Sequence, residues 1–80
     1  MARASMSDFK HKEQERLSGR HAAERLIDIA YALSAGPPLK LRVDGELISV
    51  PIPDELLLER ELTSNGEHVQ LELELTWSRP

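Results

Sequence analysis

The segment HVQLELELTW, from His68 to Trp77, decides the fold of this chain. Five apolar residues alternate strictly with polar residues in it: Val69, Leu71, Leu73, Leu75 and Trp77. Side chains on a β-strand point alternately to its two faces, so this alternation predicts a strand with one buried and one solvent-exposed face.

The residues before this segment predict the other half of a hairpin. Asn65-Gly66 matches a type I′ turn, whose two central residues need positive φ angles. Counting outward from that turn places Leu62 opposite Val69, Leu58 opposite Leu73 and Leu56 opposite Leu75. One face of the hairpin is then apolar except at Arg60, which lies opposite Leu71.

The other face of this hairpin is predicted to be acidic. It carries Leu57, predicted opposite Glu74, together with Glu59, Glu61 and Glu72. The same count places Glu59 opposite Glu72 and Glu61 opposite Gln70. Like charges that face each other across two strands are destabilising, so we expect positive charge nearby.

An earlier hairpin is predicted by the same criteria. Leu39, Leu41 and Val43 alternate with Lys40 and Arg42, and Asp44-Gly45 supplies a type I′ turn. This turn sets Val43 opposite Glu46, Leu41 opposite Ile48 and Leu39 opposite Val50. Pro51 and Pro53 lack the amide hydrogen that a strand ladder needs, so the hairpin ends before them.

A helix is predicted from Gly19 to Ala35, with Ser18 as its N-cap. Its inward-facing stripe has helical spacing and consists of Ala22, Leu26, Ile29, Ala30 and Leu33. Gly36 suits a left-handed C-terminal residue, and Pro37-Pro38 prevents the helix from continuing.

The N-terminal region is less clearly patterned. Residues 1–7 are predicted to be a disordered tail, and residues 8–78 a single domain. Residues 8–17 fit either a strand or a helix, and we favour a strand beside the second hairpin. In that position Lys10, Lys12 and Arg16 would neutralise its glutamates, although Glu13 and Glu15 would then face the helix side.

Together these elements predict an α+β fold: an antiparallel sheet of two consecutive hairpins plus an N-terminal strand, with one helix packed on one face, in the order β-α-β-β-β-β. An 80-residue chain buries only about 60% of the surface that its unfolded form exposes. One short helix also leaves part of the sheet uncovered. We therefore expect a homo-oligomer, formed by face packing or by pairing of edge strands.

Composition excludes several classes of protein. The chain has no cysteine, and therefore no disulfide and no thiolate ligand, and it has no apolar run long enough to span a membrane. Residues 1–7 lack the apolar stretch of a signal peptide, so we expect a cytoplasmic protein. The net charge of −4 is uneven, with +3 on residues 1–42 and −7 on residues 43–80, and the two halves can pair with each other.

The order of these elements resembles the amphi-Trp domain family of small prokaryotic proteins. The resemblance is carried by HKEQERLS at 11–18, the AAERLIDIAYALSAG helix, DGELISVPIPDELLLERE and NGEHVQLELELTW, and it covers about residues 9–77. Trp77 matches the residue for which the family is named. The resemblance implies a fold, and it transfers no activity, cofactor or site residue.

Few residues indicate chemistry. No nucleophile motif, zinc-protease motif or phosphate-binding loop occurs, so we expect no enzyme and no cofactor. His68 with the outward glutamates, or His11 with Glu13 and Glu15, has imidazole and carboxylate ligands but the spacing of no known metal cage. Basic residues for nucleic-acid binding would be Arg16, Arg20, Lys40 and Arg42, but the chain is acidic and lacks an aromatic stacking platform.

The leading hypothesis is therefore a non-enzymatic assembly or protein-interaction module that acts as a homo-oligomer. We predict that its interface includes Trp77, Leu57, Arg60 and Tyr31, with Trp77 either an exposed anchor or the residue that closes the core. Two alternatives are a regulator that binds nucleic acid through the basic helix and the first hairpin, and an accessory protein that holds a metal or small ligand.

Overall fold

The computed structural model describes residues 2–3, 8 and 10–79, and the side chains of residues 8 and 10–79. Its elements follow the order β1 (Ala2–Arg3), α1 (Gly19–Ser34), β2 (Leu39–Val43), β3 (Glu46–Val50), β4 (Leu57–Asn65) and β5 (His68–Thr76). The predicted α+β class is confirmed, with one helix followed by two hairpins, but the strand that precedes the helix is β1 at residues 2–3 and not the predicted strand over residues 8–17. The predicted tail lies mostly outside the described residues, and its disorder stays a prediction.

The helix begins and ends where its capping residues predict. The Ser18 hydroxyl accepts a hydrogen bond from the His21 amide at 3.1 Å, which satisfies one of the unpaired amides of the first turn. At the other end Ala35 caps the helix and Gly36 follows with φ of 89°. This conformation is open to glycine at little strain, and the helix stops there.

The first hairpin has the predicted register. Leu39 pairs with Val50, Leu41 with Ile48 and Val43 with Glu46. Asp44 and Gly45 have φ of 52° and 78°, as a type I′ turn requires. β1 pairs with β3 in parallel, so the strand order of this sheet is β1-β3-β2 and β2 lies at its edge.

The register predicted for the second hairpin is wrong by two residues. Asn65 pairs with His68, and the turn consists of Gly66 and Glu67. Gly66 has φ of 61°, whereas Glu67 does not have a positive φ, since Asp44 is the one non-glycine residue with positive φ among those described. A positive φ at the first central residue alone is the pattern of a type II′ turn with glycine first. Each residue of β4 therefore faces a residue two positions later on β5 than predicted.

A shift of two residues preserves the faces of the hairpin because side chains alternate with a period of two. Leu62 now pairs with Leu71, and Arg60 with Leu73. The shift raises the number of directly opposed glutamate pairs from the one predicted to two, since Glu59 faces Glu74 and Glu61 faces Glu72. The remaining corrected pairs are Leu58 with Leu75, and Leu57 with Thr76.

The expected strand over residues 8–17 is not present, since residues 10–18 form neither strand nor helix. The face that would have turned toward the helix carries His11, Glu13 and Glu15, which are too polar to bury. These side chains bond locally instead: His11 Nε2 lies 2.7 Å from Glu13 Oε1, and Glu15 accepts a hydrogen bond from Arg25 Nε at 3.0 Å.

The two hairpins form two separate sheets, where the sequence predicted one. The helix packs against β2, whereas no Cα atom of β4 or β5 lies within 8 Å of a Cα atom in α1, β1, β2 or β3. Residues 51–56 connect the hairpins without strand structure, and Pro51 and Pro53 prevent the ladder from continuing through them. Only Leu39 and Ile48, at 5% and 4% exposure, are buried among the described apolar side chains.

Candidate interaction surface

The second hairpin has an apolar face that nothing in the described part of the chain covers. Its exposed members range from Leu73, at 48% exposure, to Val69, at 71%. The full face consists of Leu58, Leu62, Val69, Leu71 and Leu73, with half-buried Leu75 and with Arg60 and Ser64 interrupting it. Folded monomers rarely expose a contiguous apolar surface of this kind, which makes this face a candidate interaction surface.

The opposite face of this hairpin concentrates negative charge. It brings together Glu59, Glu61, Glu72 and Glu74, all exposed. Within the described residues no ion pair reaches any of the four, including from Lys10, Lys12 and Arg16, which were predicted to neutralise them. A hydrogen bond from Gln70 Nε2 to Glu72 Oε1, at 2.7 Å, does not neutralise the charge. The hairpin therefore needs cations from elsewhere.

Trp77 lies just beyond β5 at the base of the hairpin and is half-buried. Its indole N–H donates to the backbone carbonyl of Pro51 at 3.1 Å, the kind of partner expected if Trp77 closes a core. Leu57 is close by in the fold, since it pairs with Thr76. Leu57 is exposed and lies on the same face as the glutamates.

The other two predicted interface residues lie elsewhere. Arg60 is exposed in the middle of the apolar face, opposite Leu73. Tyr31 is 71% exposed on the helix, which does not pack against the second hairpin. The structure thus places Leu57, Arg60 and Trp77 on one hairpin and separates Tyr31 from them.

An open groove of about 760 Å³ lies between the helix, β2 and the segment before the helix. Part of its wall is the predicted inward stripe, of which Leu26 and Ile29 are still exposed. Four consecutive residues of β2, Lys40 to Val43, also line it. Because consecutive strand residues point to opposite faces, the groove runs along the edge of β2.

Charged residues from several elements form the rim of this groove. They are His11, Glu13, Glu15, Arg25, Asp28, Lys40 and Arg42. Arg25 and Glu15 form an ion pair at 3.0 Å, and this hydrogen bond is the main cause of the raised pKa of Arg25. Asp28 makes no ion pair with another described residue.

His11 lies between two carboxylates on the rim. Its Nδ1 is 3.5 Å from Asp44 Oδ2, in addition to the contact with Glu13. The hydrogen bond with Glu13 raises the pKa of His11 above its ordinary value of 6.5, partial burial opposes this, and the charges of Asp44 and Glu13 add to the rise. His11 is therefore a candidate for protonation near neutral pH.

The residues considered for a metal do not form a metal site in the described part of the chain, and those considered for nucleic acid come from different parts of the sequence. Glu15 is paired with Arg25 and not with His11, and no group of three or more His, Asp or Glu residues among those described could hold a metal ion. The four basic candidates are distributed over three elements, with Arg16 before the helix, Arg20 in its first turn, and Lys40 and Arg42 on β2. No described helix is long and apolar enough to cross a membrane.

Lys40 and Arg42 on β2 carry the charge opposite to that of Glu72 and Glu74 on β5, a relationship that neither strand pattern shows alone. The alternation of β2 and that of β5 are each evident in the sequence. The signal that could have linked them is their complementarity, with leucines on one face and opposite charges on the other.

These features define a small α+β domain whose last hairpin is amphipathic and ends in tryptophan. A family model for the Amphi-Trp domain matches residues 3–80, so the chain belongs to the Amphi-Trp domain family. No curated protein and no solved structure matches the chain.

Proposed function

We propose that this protein is a non-enzymatic assembly module that acts as a homo-oligomer and presents a sheet surface to itself and to a protein partner. The observation that supports this proposal is the large accessible surface area of the single chain. The chain exposes 7277 Å², whereas a folded monomer of 9.0 kDa is expected to expose about 4,900 Å², an excess of about 2,400 Å².

The extent of the molecule supports the same proposal. Its Cα radius of gyration is 14.5 Å, against about 12 Å expected for a folded domain of this length. The two apolar side chains that are buried among the described residues are too few to stabilise a domain against the loss of conformational entropy. Association with another chain would bury the apolar face of the second hairpin and complete the core.

The size of the excess fits a stable association. A standard protein interface buries about 800 Å² on each partner, and larger interfaces are typical of obligate oligomers. A module of this kind folds and assembles together, so that its stability depends on its concentration. The cytoplasmic location expected from the sequence stays a prediction within this proposal.

Light scattering after size separation, over a hundredfold range of concentration, tests the proposal. The protein should be nuclease-treated and free of affinity tags, so that neither nucleic acid nor a tag contributes to the mass. We expect a dimer or a larger closed assembly, with helical and strand circular dichroism that weakens on dilution. A well-folded monomer at every concentration would contradict the proposal.

A further inference from the structure

We propose that the second hairpin of one copy adds to the open edge of β2 in a second copy, with β5 as the pairing strand. This inference rests on the proposed homo-oligomer and specifies its interface. The second copy would join the two separate sheets into one, with the helix of each chain covering leucines supplied by the other.

The side-chain patterns of the two strands are complementary. β2 reads LKLRV, with Lys40 and Arg42 on one face and leucine and valine on the other. β5 carries Glu72 and Glu74 on one face and an unbroken apolar row on the other. Adjacent strands share their faces, so pairing them places leucine beside leucine and cation beside carboxylate.

The pairing of β2 with β5 would relieve the repulsion between opposed glutamates that remains in the single chain. Glu59 faces Glu74 and Glu61 faces Glu72, and no described residue forms an ion pair with any of them. Lys40 and Arg42 lie on an exposed strand edge and form no ion pair among the described residues. Among the described residues, the Arg42 side chain makes a hydrogen bond to the Gly45 carbonyl at 3.1 Å and no ion pair. Each surface thus carries the charge that the other needs.

β2 is accessible for such an addition. It has one neighbour, β3, and its other edge borders the groove beneath the helix. An extended strand that joins an exposed edge gains main-chain hydrogen bonds, and pockets for alternate side chains give specificity. The groove supplies such pockets, since Leu26 and Ile29 from the helix and Leu41 and Val43 from β2 line it.

Arg60 also fits this arrangement. It is the one charged residue on the apolar face of the hairpin, and covering that face without a carboxylate nearby would isolate its charge. The rim of the groove carries Asp28, which has no ion pair within the described part of the chain. Asp28 of the second copy is the carboxylate that we assign to Arg60.

The hairpin is held away from its own groove. The connector over residues 51–56 contains two prolines, and Trp77 bonds to Pro51 at its start. The exchange of an identical element between copies is a common route to a dimer, and a stiff connector favours it over return to the same chain. The excess of exposed surface, about 2,400 Å², is ample for one hairpin docked in each direction.

Charge reversal tests which strands pair. K40E/R42E and E72K/E74K each place like charges along the proposed contact, and we expect each variant alone to dissociate at a Kd at least about tenfold above that of the wild type. The matched control is E55K/E67K, which changes net charge by the same amount as E72K/E74K but at exposed glutamates in the connector and in the turn, away from the proposed contact. We expect it to dimerise as the wild type does. All six positions are exposed, and circular dichroism at protein concentrations above each Kd checks that the assembled chains are folded.

Mixing the two disrupted variants tests whether the pairing is between chains. K40E/R42E chains offer a glutamate edge to the lysine hairpin of E72K/E74K, while the reverse contact keeps its wild-type charges. We expect a one-to-one heterodimer that restores the wild-type Kd. A chain with all four reversals should also dimerise, whichever chain supplies the hairpin.

The outcomes separate the two proposals. Dimers that withstand both reversals would overturn the β2 and β5 contact while leaving the homo-oligomer intact. Recovery in the four-fold variant without recovery on mixing would show that the hairpin folds back within its own chain. A wild type that is monomeric throughout would overturn the proposed function as well.

Discussion

The indole Nε1 of Trp77 donates a hydrogen bond to the backbone carbonyl oxygen of Pro51 at 3.1 Å, and so joins the end of β5 to the residue that follows β3. These residues are 26 positions apart in sequence. The bond fixes where the second hairpin departs from the first, and the aromatic ring is half-buried at that junction.

Two substitutions of Trp77 distinguish the contribution of its hydrogen bond to stability from that of its aromatic ring. We expect Trp77→Phe to lower the free energy of unfolding by about 0.5–1.5 kcal/mol through loss of the indole donor. Trp77→Ala should lower it by about 1.5–3 kcal/mol, because the half-buried ring is lost as well. Urea unfolding followed by circular dichroism measures both, since neither variant retains a tryptophan for fluorescence.

Light scattering on the same variants tests the two roles predicted for Trp77. Loss of assembly in a chain that keeps its circular dichroism would identify an interface anchor, whereas concerted unfolding would identify a core residue. If Trp77→Phe is as stable as the wild type, the bond to Pro51 contributes nothing to stability.

The helix cap gives a second prediction. Ser18→Ala removes the acceptor of the 3.1 Å bond from the His21 amide and should destabilise the protein by about 1 kcal/mol. Ser18→Asp is the matched control, because its carboxylate accepts the same bond and opposes the positive end of the helix dipole. Urea midpoints compare the variants, and equal loss in both would show that the hydroxyl is not acting as a cap.

Local chemistry made the helix and the first hairpin predictable from sequence. Ser18 and Gly36 determine the ends of the helix, and Asp44-Gly45 determines a register that β2 and β3 then share. The second hairpin was predictable in its faces but not in its register. Glycine at 66 suits either turn type, and a shift of two residues leaves the apolar face unchanged.

The arrangement of the hairpins could not be predicted in this way. The alternation in β5 predicts that the face with Leu71 and Leu73 is buried, but it does not indicate whether the same chain or another chain packs on that face. The same limit applies to Lys40 and Arg42, whose charges match Glu72 and Glu74 although the two strands lie apart within one chain. Which strands pack or pair with each other depends on their positions in space, and the alternation within each strand does not specify those positions.

The turn at Asp44 gives a third prediction. Asp44 has φ of 52°, a left-handed conformation that aspartate, asparagine and glycine adopt more readily than other residues. We expect Asp44→Ala to destabilise the first hairpin by about 1 kcal/mol and Asp44→Gly to preserve it. Thermal unfolding compares the two in a His11→Gln background, where the ion pair of His11 with Asp44 is absent. If Asp44→Ala is as stable as the wild type, the left-handed conformation at residue 44 does not disfavour alanine and the prediction is wrong.

His11 gives a dependence of stability on pH. Its pKa is raised in the folded protein by the bond to Glu13 and the charge of Asp44, against an unfolded value of 6.5. The folded state therefore binds a proton more tightly than the unfolded state does. The stabilisation from protonated His11 is fully present below pH 6.5 and is lost as the pH rises through the folded pKa.

Two measurements check this dependence. Titration of the imidazole signals by NMR should show the pKa of His11 above its ordinary value of 6.5, and Glu13→Gln should lower it more than Asp44→Asn does, because the bond to Glu13 is the larger cause. Urea unfolding between pH 5 and 8.5 should show a loss of stability for the wild type that His11→Gln lacks. A wild type and a His11→Gln variant with parallel pH profiles would contradict the assignment, because the proton uptake would then belong to another group.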